Sequence, residues 1–290
     1  MTVALALLLG CNESNITKIT YDALAVVQGD FDDVTSPLTA LDIATSAYDG
    51  FIVQATYEPE DDRTQRGEMA LTVEALLTAR DQNGRLDLDR YNAVFVASGT
   101  RGFGAGQYNN SLLPDDMLLN DPNLAEMCGF PEGGGTLVVS DWAYELVEAC
   151  WPNAIEFFGD GDTVTPDAAQ KGLADDTLDA YVKDEELAAT LGATLSLRYD
   201  YTAWTVMEAV GAETEVLVTG DGAFQPASDE EILDVTDVPL LVRFRAGRGW
   251  VVYSNFHWSA QSPVVAQNLM LAAVEGLAPG AGAGSAEVAE

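Results

Sequence analysis

The segment Gly134–Glu148, GGTLVVSDWAYELVE in one-letter code, decides the fold class of this chain. A glycine pair leads into the apolar run Leu137–Val139, a polar corner follows at Ser140 and Asp141, and apolar residues then recur at helical spacing. A strand, a sharp turn and a helix in this order form the unit from which parallel α/β sheets are built. The segment therefore predicts an α/β fold, in which ligands and catalytic groups usually lie at the carboxyl ends of the strands.

The rest of the chain repeats this alternation of apolar strands and helices. Unbroken apolar runs indicate parallel strands that are covered on both faces, whereas the later short strands and a glycine-turned hairpin indicate an antiparallel extension. We therefore predict a mainly parallel, flavodoxin-like sheet flanked by helices, with that extension; residues 34–48 show no clear helical pattern. The predicted strands are 23–27, 51–55, 91–97, 136–140, 155–158, 194–198, 204–210, 215–219, 238–244 and 250–254, and the predicted helices are 69–77, 118–127, 142–149, 184–191 and 264–277.

Composition limits the class of protein and of partner. The 290 residues suffice for one large domain or two small ones, and the 48% of apolar residues excludes wholesale disorder. The chain has 13 Lys and Arg against 47 Asp and Glu, a formal net charge of −34. Because this field repels nucleic-acid phosphates, we expect no nucleic-acid partner.

Metal and cofactor signals are weak. One histidine and three scattered cysteines do not make a zinc cluster with the usual spacings. Asp160, Asp162 and Asp167 follow a predicted strand and are candidate ligands for a hard cation such as calcium. Their spacing differs from the twelve-residue EF-hand loop, so an ordinary acidic turn is the preferred interpretation. We predict no cofactor.

The amino terminus has the pattern of an export signal. An apolar run over residues 3–9 has the length of a signal-peptide core, and Leu8-Leu9-Gly10-Cys11 resembles the lipobox of bacterial lipoproteins. The resemblance implies cleavage before Cys11, lipid on its thiol, and anchoring to the membrane of the cell envelope. The predicted organisation is a signal peptide at 1–10, a linker at 11–20, a domain at 21–278 and a Gly/Ala-rich disordered tail at 279–290. The alternative for residues 3–9 is a buried first strand.

Two further cysteines, Cys128 and Cys150, flank the central strand–turn–helix unit. In an exported protein they have the opportunity to form a disulfide. Two buried free thiols are the alternative, and the sequence leaves both open.

Two segments, in order, carry a family resemblance. The first is Gly134–Glu148, and the second is Gly249–His257, a strand that ends in Ser-Asn-Phe-His. Together they resemble the class I glutamine amidotransferase-like fold, including its trehalose-utilisation-type members, over residues 21–278. The resemblance implies a parallel sheet with the site at its carboxyl edge and places His257 at the position of the family's histidine.

The residues at the family's catalytic positions differ from those of active members. Active amidotransferases have a cysteine in the turn after the central strand and a glutamate two residues beyond the histidine. Here the turn, Val139–Ala143, contains no cysteine, and Ser259 stands two residues after His257. A thiolate nucleophile needs an adjacent base, and neither Cys128 nor Cys150 stands at the matching position beside the histidine. We therefore expect no glutamine hydrolysis. The predicted role is binding or structural, with a small molecule, a glycan or a protein as partner.

A hydrolase is the alternative. Ser140 and His257 both follow predicted strands, and Asp141 or Asp200 would orient the imidazole, as in a serine triad. The Gly-x-Ser-x-Gly pattern of such enzymes is absent. In the simpler interpretation, Asp141 caps the following helix.

The third interpretation is a calcium- or carbohydrate-binding surface module. Trp142 and Trp258 each come soon after a predicted strand end, so both are candidates to line one crevice at the carboxyl edge. Aromatic rings in such a crevice suit sugars and other flat ligands. Packing in the core is the alternative for both.

Overall fold

The computed structural model describes residues 24–29, 31–50, 72–100, 122–158, 171–173, 177–201, 204–225 and 231–275. Several predictions fall outside these ranges: the strand at 51–55, the signal peptide with Cys11, the linker, the acidic turn with Asp160, Asp162 and Asp167, and the tail at 279–290. No helix within the described ranges has the length and hydrophobicity needed to cross a membrane.

The described residues form strands and helices in alternation, as the sequence predicts. The strands are β1 Leu24–Gln28, β2 Thr45–Asp49, β3 Ala93–Val96, β4 Thr136–Ser140, β5 Ile155–Phe157, β6 Lys171–Leu173, β7 Thr177–Val182, β8 Thr194–Arg198, β9 Trp204–Thr205, β10 Met207–Val210, β11 Thr214–Gln225, β12 Leu233–Ala246 and β13 Gly249–Ser254. The α-helices are α1 Thr35–Ala40, α2 Val73–Thr78, α3 Pro122–Glu132, α4 Tyr144–Cys150, α5 Glu185–Leu191 and α6 Pro263–Glu275. Short 3-10 helices lie at Leu88–Arg90 and Asp141–Ala143.

The main sheet is mixed, and its parallel part comes first. Strands β2, β1, β3, β4 and β13 lie side by side in this order, and each neighbouring pair is parallel. β12 and β11 then continue the sheet in antiparallel fashion, and β6, β9, β7 and β8 extend it from β11. β5 and β10 form a separate antiparallel pair. The predicted fold class, a parallel α/β sheet with an antiparallel extension, is confirmed.

Helices cover both faces of the sheet, which explains the unbroken apolar runs of the central strands. The helices α2, α3 and α4 pack on one face, and α1, α5 and α6 pack on the other. β3 and β4 are buried along their whole length, because a parallel strand between two helical layers has no solvent-facing side. Each face has its own apolar core.

A disulfide joins α3 to α4. Cys128 and Cys150 are bonded, with their Cα atoms 5.4 Å apart, and both pack against the core on that face. The sequence left open whether these cysteines form a disulfide or remain free thiols, and the structure has the disulfide.

Two elements arise where the sequence shows no clear pattern. α1 has six residues and buries only Leu38, and β2 has the largely polar sequence TSAYD and buries only Tyr48. A single buried side chain produces no periodicity, so neither element was detectable from the pattern. A third difference is that the predicted strand 204–210 divides at Val206, so that β9 joins the main sheet and β10 pairs with β5.

Candidate functional site

Asp141 occupies the sharp turn between β4 and α4. Its φ angle is +43°, in the left-handed region that side chains other than glycine's rarely adopt. Such a conformation persists only where the surrounding contacts hold it. The amidotransferase resemblance implies that a nucleophile stands in this turn, and here a carboxylate does.

Hydrogen bonds fully occupy the Asp141 carboxylate. Its Oδ1 accepts from the backbone N of Thr205 at 2.8 Å and from Thr205 Oγ1 at 3.1 Å. Its Oδ2 accepts from Ser98 Oγ at 3.4 Å and lies 3.2 Å from His257 Nε2. The residue is 1% exposed, and the N-cap of the following helix α4 is Ala143, with no side chain capping that helix. The prediction that Asp141 caps the following helix is therefore wrong, because the left-handed turn directs the carboxylate to Thr205 and His257.

His257 lies between carboxylates. Its Nδ1 is 2.7 Å from Asp200 Oδ1, its Nε2 is 3.1 Å from Ser98 Oγ, and the residue is 4% exposed. Burial alone would lower the pKa of His257. The hydrogen bonds to Asp141 and Asp200, together with the charges of Asp141 and Asp32, outweigh burial and raise the pKa to about 10. The ring is thus an imidazolium at neutral pH, with a proton on each nitrogen.

Ser140 does not contact the His257 ring, so the predicted Ser140–His257 pairing is corrected. Ser140 Oγ accepts from the backbone N of Ser98 at 2.9 Å and donates to Asp32 Oδ2 at 3.2 Å. Ser140 is the last residue of β4, and its two hydrogen-bond partners lie in the loops after β3 and β1. Ser98, which follows β3, is the hydroxyl beside His257.

Asp32 ties the loop after β1 to the loop after β13. Its two carboxylate oxygens accept from the backbone N atoms of Trp258 and Ser259, each at 3.0 Å. Burial raises the pKa of Asp32, although the charge of His257 and the two amides act in the opposite direction. The loops after four parallel strands, β1, β3, β4 and β13, therefore meet in one buried polar cluster at the carboxyl edge.

Sequence reasoning missed three members of this cluster. Ser98 directly follows the strongest predicted strand, and the carboxyl-edge rule that singled out Ser140 applies to it equally. Asp32 has no such signal, since nothing in the sequence distinguishes it from its neighbour Asp33. Thr205 belongs to the antiparallel extension, and only the fold brings it to β4.

The two tryptophans predicted to line one crevice do not share a crevice. Trp142 is 5% exposed and packs in the core on the α4 face, whereas Trp258 is fully buried in the core on the α6 face. Among the described residues, Tyr201 is an exposed aromatic side chain at this edge: it is 44% exposed and meets the His257 ring edge-on at a centroid distance of 5.3 Å.

Within the described ranges, no three His, Cys, Asp or Glu side chains are arranged to hold a metal ion. The carboxylates of the cluster instead face the His257 ring, the Thr205 side chain and backbone amides. The carboxylates of the cluster are thus used in hydrogen bonds and ion pairs within the protein.

The geometry determines which chemistry the cluster can perform. As an imidazolium, His257 cannot accept the proton of Ser98, and Ser98 Oγ donates that proton to Asp141. Cys128 and Cys150 are joined in a disulfide, so neither offers a thiolate. Neither of these two cysteines therefore stands as a free thiolate beside His257.

Comparisons with known proteins find likeness in structure but not in sequence. The sequence matches no protein-family profile, and no curated protein is significantly similar to it. Solved structures similar to this chain include a thua-like protein from Bacteroides uniformis, with 13% identity, TM-score 0.48 and coverage of 91% of this chain and 93% of that one. A GMP synthase subunit from Thermoplasma acidophilum has 8% identity and TM-score 0.47, with coverage of 89% and 96%. A β-galactosidase from Bacillus circulans sp. alkalophilus has 13% identity and TM-score 0.45; the match covers 88% of this chain but only 31% of that enzyme.

Proposed function

We propose that this chain is an exported, lipid-anchored protein of the bacterial cell envelope whose amidotransferase-like domain binds a ligand or partner without hydrolysing glutamine. One observation carries the proposal: at the turn after the central strand, the Asp141 carboxylate stands at hydrogen-bond distance from an imidazolium. A carboxylate so bonded on both oxygens serves as the anchor of a rigid site, not as an attacking group.

Export and anchoring have separate support. Disulfides persist in oxidising compartments and are rare in the bacterial cytoplasm, and the structure has the Cys128–Cys150 bond. The Leu8-Leu9-Gly10-Cys11 segment supplies the lipid-attachment signal. The proposed contact with the membrane is the lipid on Cys11, because a charge of −34 does not favour adsorption to anionic lipid.

We expect the native protein to begin at Cys11 and to carry lipid there. Mass spectrometry of protein expressed with its full leader should find an acylated Cys11 peptide and none that spans residues 10 and 11. Cys11→Ala should abolish the modification and leave the protein in the soluble fraction. An intact peptide from Met1 through Cys11 in the mature protein would refute the anchor and leave the binding role untouched.

A hydrolase with Ser98 as nucleophile is the second candidate. The distances favour it, since Ser98 Oγ lies 3.1 Å from His257 Nε2 and Asp200 holds the opposite nitrogen at 2.7 Å. These are hydrogen-bond distances of the kind found in serine triads. Against it stand the protonated ring and the hydroxyl proton given to Asp141.

A serine-directed fluorophosphonate and a glutaminase assay decide between the two candidates. We expect no labelling at pH 7 and no release of ammonia from glutamine. Ser98→Ala serves as the matched control for any labelling. Labelling of the wild type that disappears in both Ser98→Ala and His257→Ala would establish the hydrolase and refute the binding proposal.

A further inference from the structure

The Asp200 carboxylate reaches the His257 ring from the antiparallel extension of the sheet. Asp200 comes two residues after β8, and among the described strands β8 pairs only with β7, which joins the main sheet through β11. The ring belongs to the loop after β13. The 2.7 Å contact between Asp200 Oδ1 and His257 Nδ1 therefore depends on how firmly the end of β8 is held against that loop.

A single buried amide, Gln261, joins the two parts. Gln261 comes shortly before α6 and is 7% exposed. Its Oε1 accepts from the backbone N of Arg198 at 3.0 Å, and its Nε2 donates to the carbonyl O of Arg198 at 2.8 Å and to that of His257 at 2.9 Å. Gln261 thus pairs both backbone groups of the last residue of β8, as a neighbouring strand would, and binds the backbone of the loop at the same time.

The next residue of the chain is held by the same loop. Tyr199 Oη donates to Asn255 Oδ1 at 3.0 Å, and both side chains are buried. Three successive residues at the end of β8 are thus each bonded to one residue of the loop after β13. We call these contacts the β8 clasp, and its three pairs are Gln261 with Arg198, Asn255 with Tyr199 and His257 with Asp200.

The two carboxylates beside the ring differ in how they are held. Asp141 is 1% exposed, and the backbone N and hydroxyl of Thr205 also bind its carboxylate. The side chain of Asp200 is 32% exposed. A partly exposed carboxylate is hydrated at little cost when it turns away from its partner, so its place at the ring depends on the backbone that carries it. Gln261 fixes that backbone two residues away.

We propose that Gln261 is a positioning residue of the candidate site: it fastens the end of β8 to the loop after β13 and so holds the Asp200 carboxylate against the His257 ring. The antiparallel extension is then a part of the site. This inference rests on the proposed function, in which the cluster is the anchor of a rigid binding site, and it names the side chain that makes the more exposed half of that anchor rigid.

The chain contains one histidine, so an NMR titration of histidine-labelled protein measures the pKa of His257 directly. The titratable groups that face the ring or act on it are Asp32, Asp141, Asp200 and Tyr201. We expect Gln261→Met, which has a similar volume but no amide, to lower the pKa of His257 by about 1, because the ring loses part of its contact with a negative charge. Asp200→Asn should lower it by about 1–3.

The double variant Gln261→Met/Asp200→Asn shows whether Gln261 acts through Asp200. We expect its His257 pKa to equal that of Asp200→Asn, since the carboxylate that Gln261 positions is already gone. The proposal is overturned if Gln261→Met leaves the pKa of His257 at the wild-type value. It is also overturned if Gln261→Met lowers the pKa equally with and without the Asp200 carboxylate, which is the result that a general structural role predicts.

Asn268→Leu is the matched control. It removes a side-chain amide from α6, where Asn268 Nδ2 donates to the carbonyl O of Val264 at 2.8 Å, so we expect the wild-type pKa of His257. Gln261→Asn is the second variant should Gln261→Met fail to fold, because its amide is one methylene too short to bond both backbones, and the same criteria apply to it. Fluorophosphonate labelling at Ser98 would contradict the non-catalytic function whatever the pKa of His257, so the two failures are distinguishable.

Discussion

His257→Ala is expected to lower the free energy of unfolding by about 3–5 kcal/mol, the usual effect of removing one partner from a buried ion pair. The imidazolium is the cation that Asp141 and Asp200 contact, and its charge also acts on Asp32. Without it, the buried carboxylates of Asp32 and Asp141 lose the cation that lies at hydrogen-bond distance from Asp141 and whose charge acts on Asp32. For a chain of this size the midpoint of thermal unfolding should fall by roughly 10 °C.

The pH dependence separates this electrostatic effect from a loss of packing. The pKa of His257 is about 6.5 in the unfolded chain and about 10 in the folded one. Since the folded pKa is the higher, the stabilisation is fully present below pH 6.5 and is lost as the pH rises through about 10. The stability difference between wild type and His257→Ala should therefore shrink over that interval.

Urea denaturation of both proteins between pH 6 and pH 10.5 provides the measurement. His257→Gln is the milder companion should the alanine variant fail to fold, because it keeps hydrogen-bonding groups but no charge. A difference that stays constant with pH would mean that His257 contributes by packing alone. A difference below about 1 kcal/mol at pH 6 would show that the cluster is not held by its charge.

The sequence predicted the elements of the fold correctly where burial requires a regular pattern of apolar residues. The segment Gly134–Glu148 was assigned correctly because β4 lies between two helical layers and must be apolar throughout, and the turn and helix follow immediately. α1 and β2 were not accessible, because each buries one side chain and so leaves no periodic signal. The division of strand 204–210 was likewise invisible, since it depends on which partner strand each half meets.

The sequence predicted where the site lies, at the carboxyl edge of the sheet, but not which side chains contact one another there. Asp141 and His257 were identified as candidates because the ends of parallel strands meet at one edge, and Asp200 was identified as a candidate partner of the imidazole. The choice between Ser140 and Ser98 was not accessible. Ser98 Oγ lies 3.1 Å from His257 Nε2, whereas Ser140 Oγ bonds to the backbone N of Ser98 and to Asp32 Oδ2. These contacts depend on how the loops after β1, β3 and β13 meet, which the sequence pattern does not show.

The Cys128–Cys150 disulfide is expected to contribute about 3 kcal/mol to the free energy of unfolding. The bond closes a loop with a sequence separation of 22 residues, and a loop of this length restricts the unfolded chain by about that amount. It also links α3 to α4, which pack on the same face of the sheet, so its loss should loosen that layer first. The double variant Cys128→Ala/Cys150→Ala should show a correspondingly lower urea midpoint.

Reductant provides the matched comparison for the disulfide. Adding it should lower the urea midpoint of the wild type toward that of the double variant and leave the double variant unchanged, because no bond remains to be broken. The double variant also serves as the control for the loss of the two partly buried sulfur atoms, since their packing is missing in it under both conditions. The prediction is refuted if reductant leaves the wild-type urea midpoint unchanged while a thiol assay shows that both sulfurs are free. In that case apolar contacts alone hold α3 and α4 together.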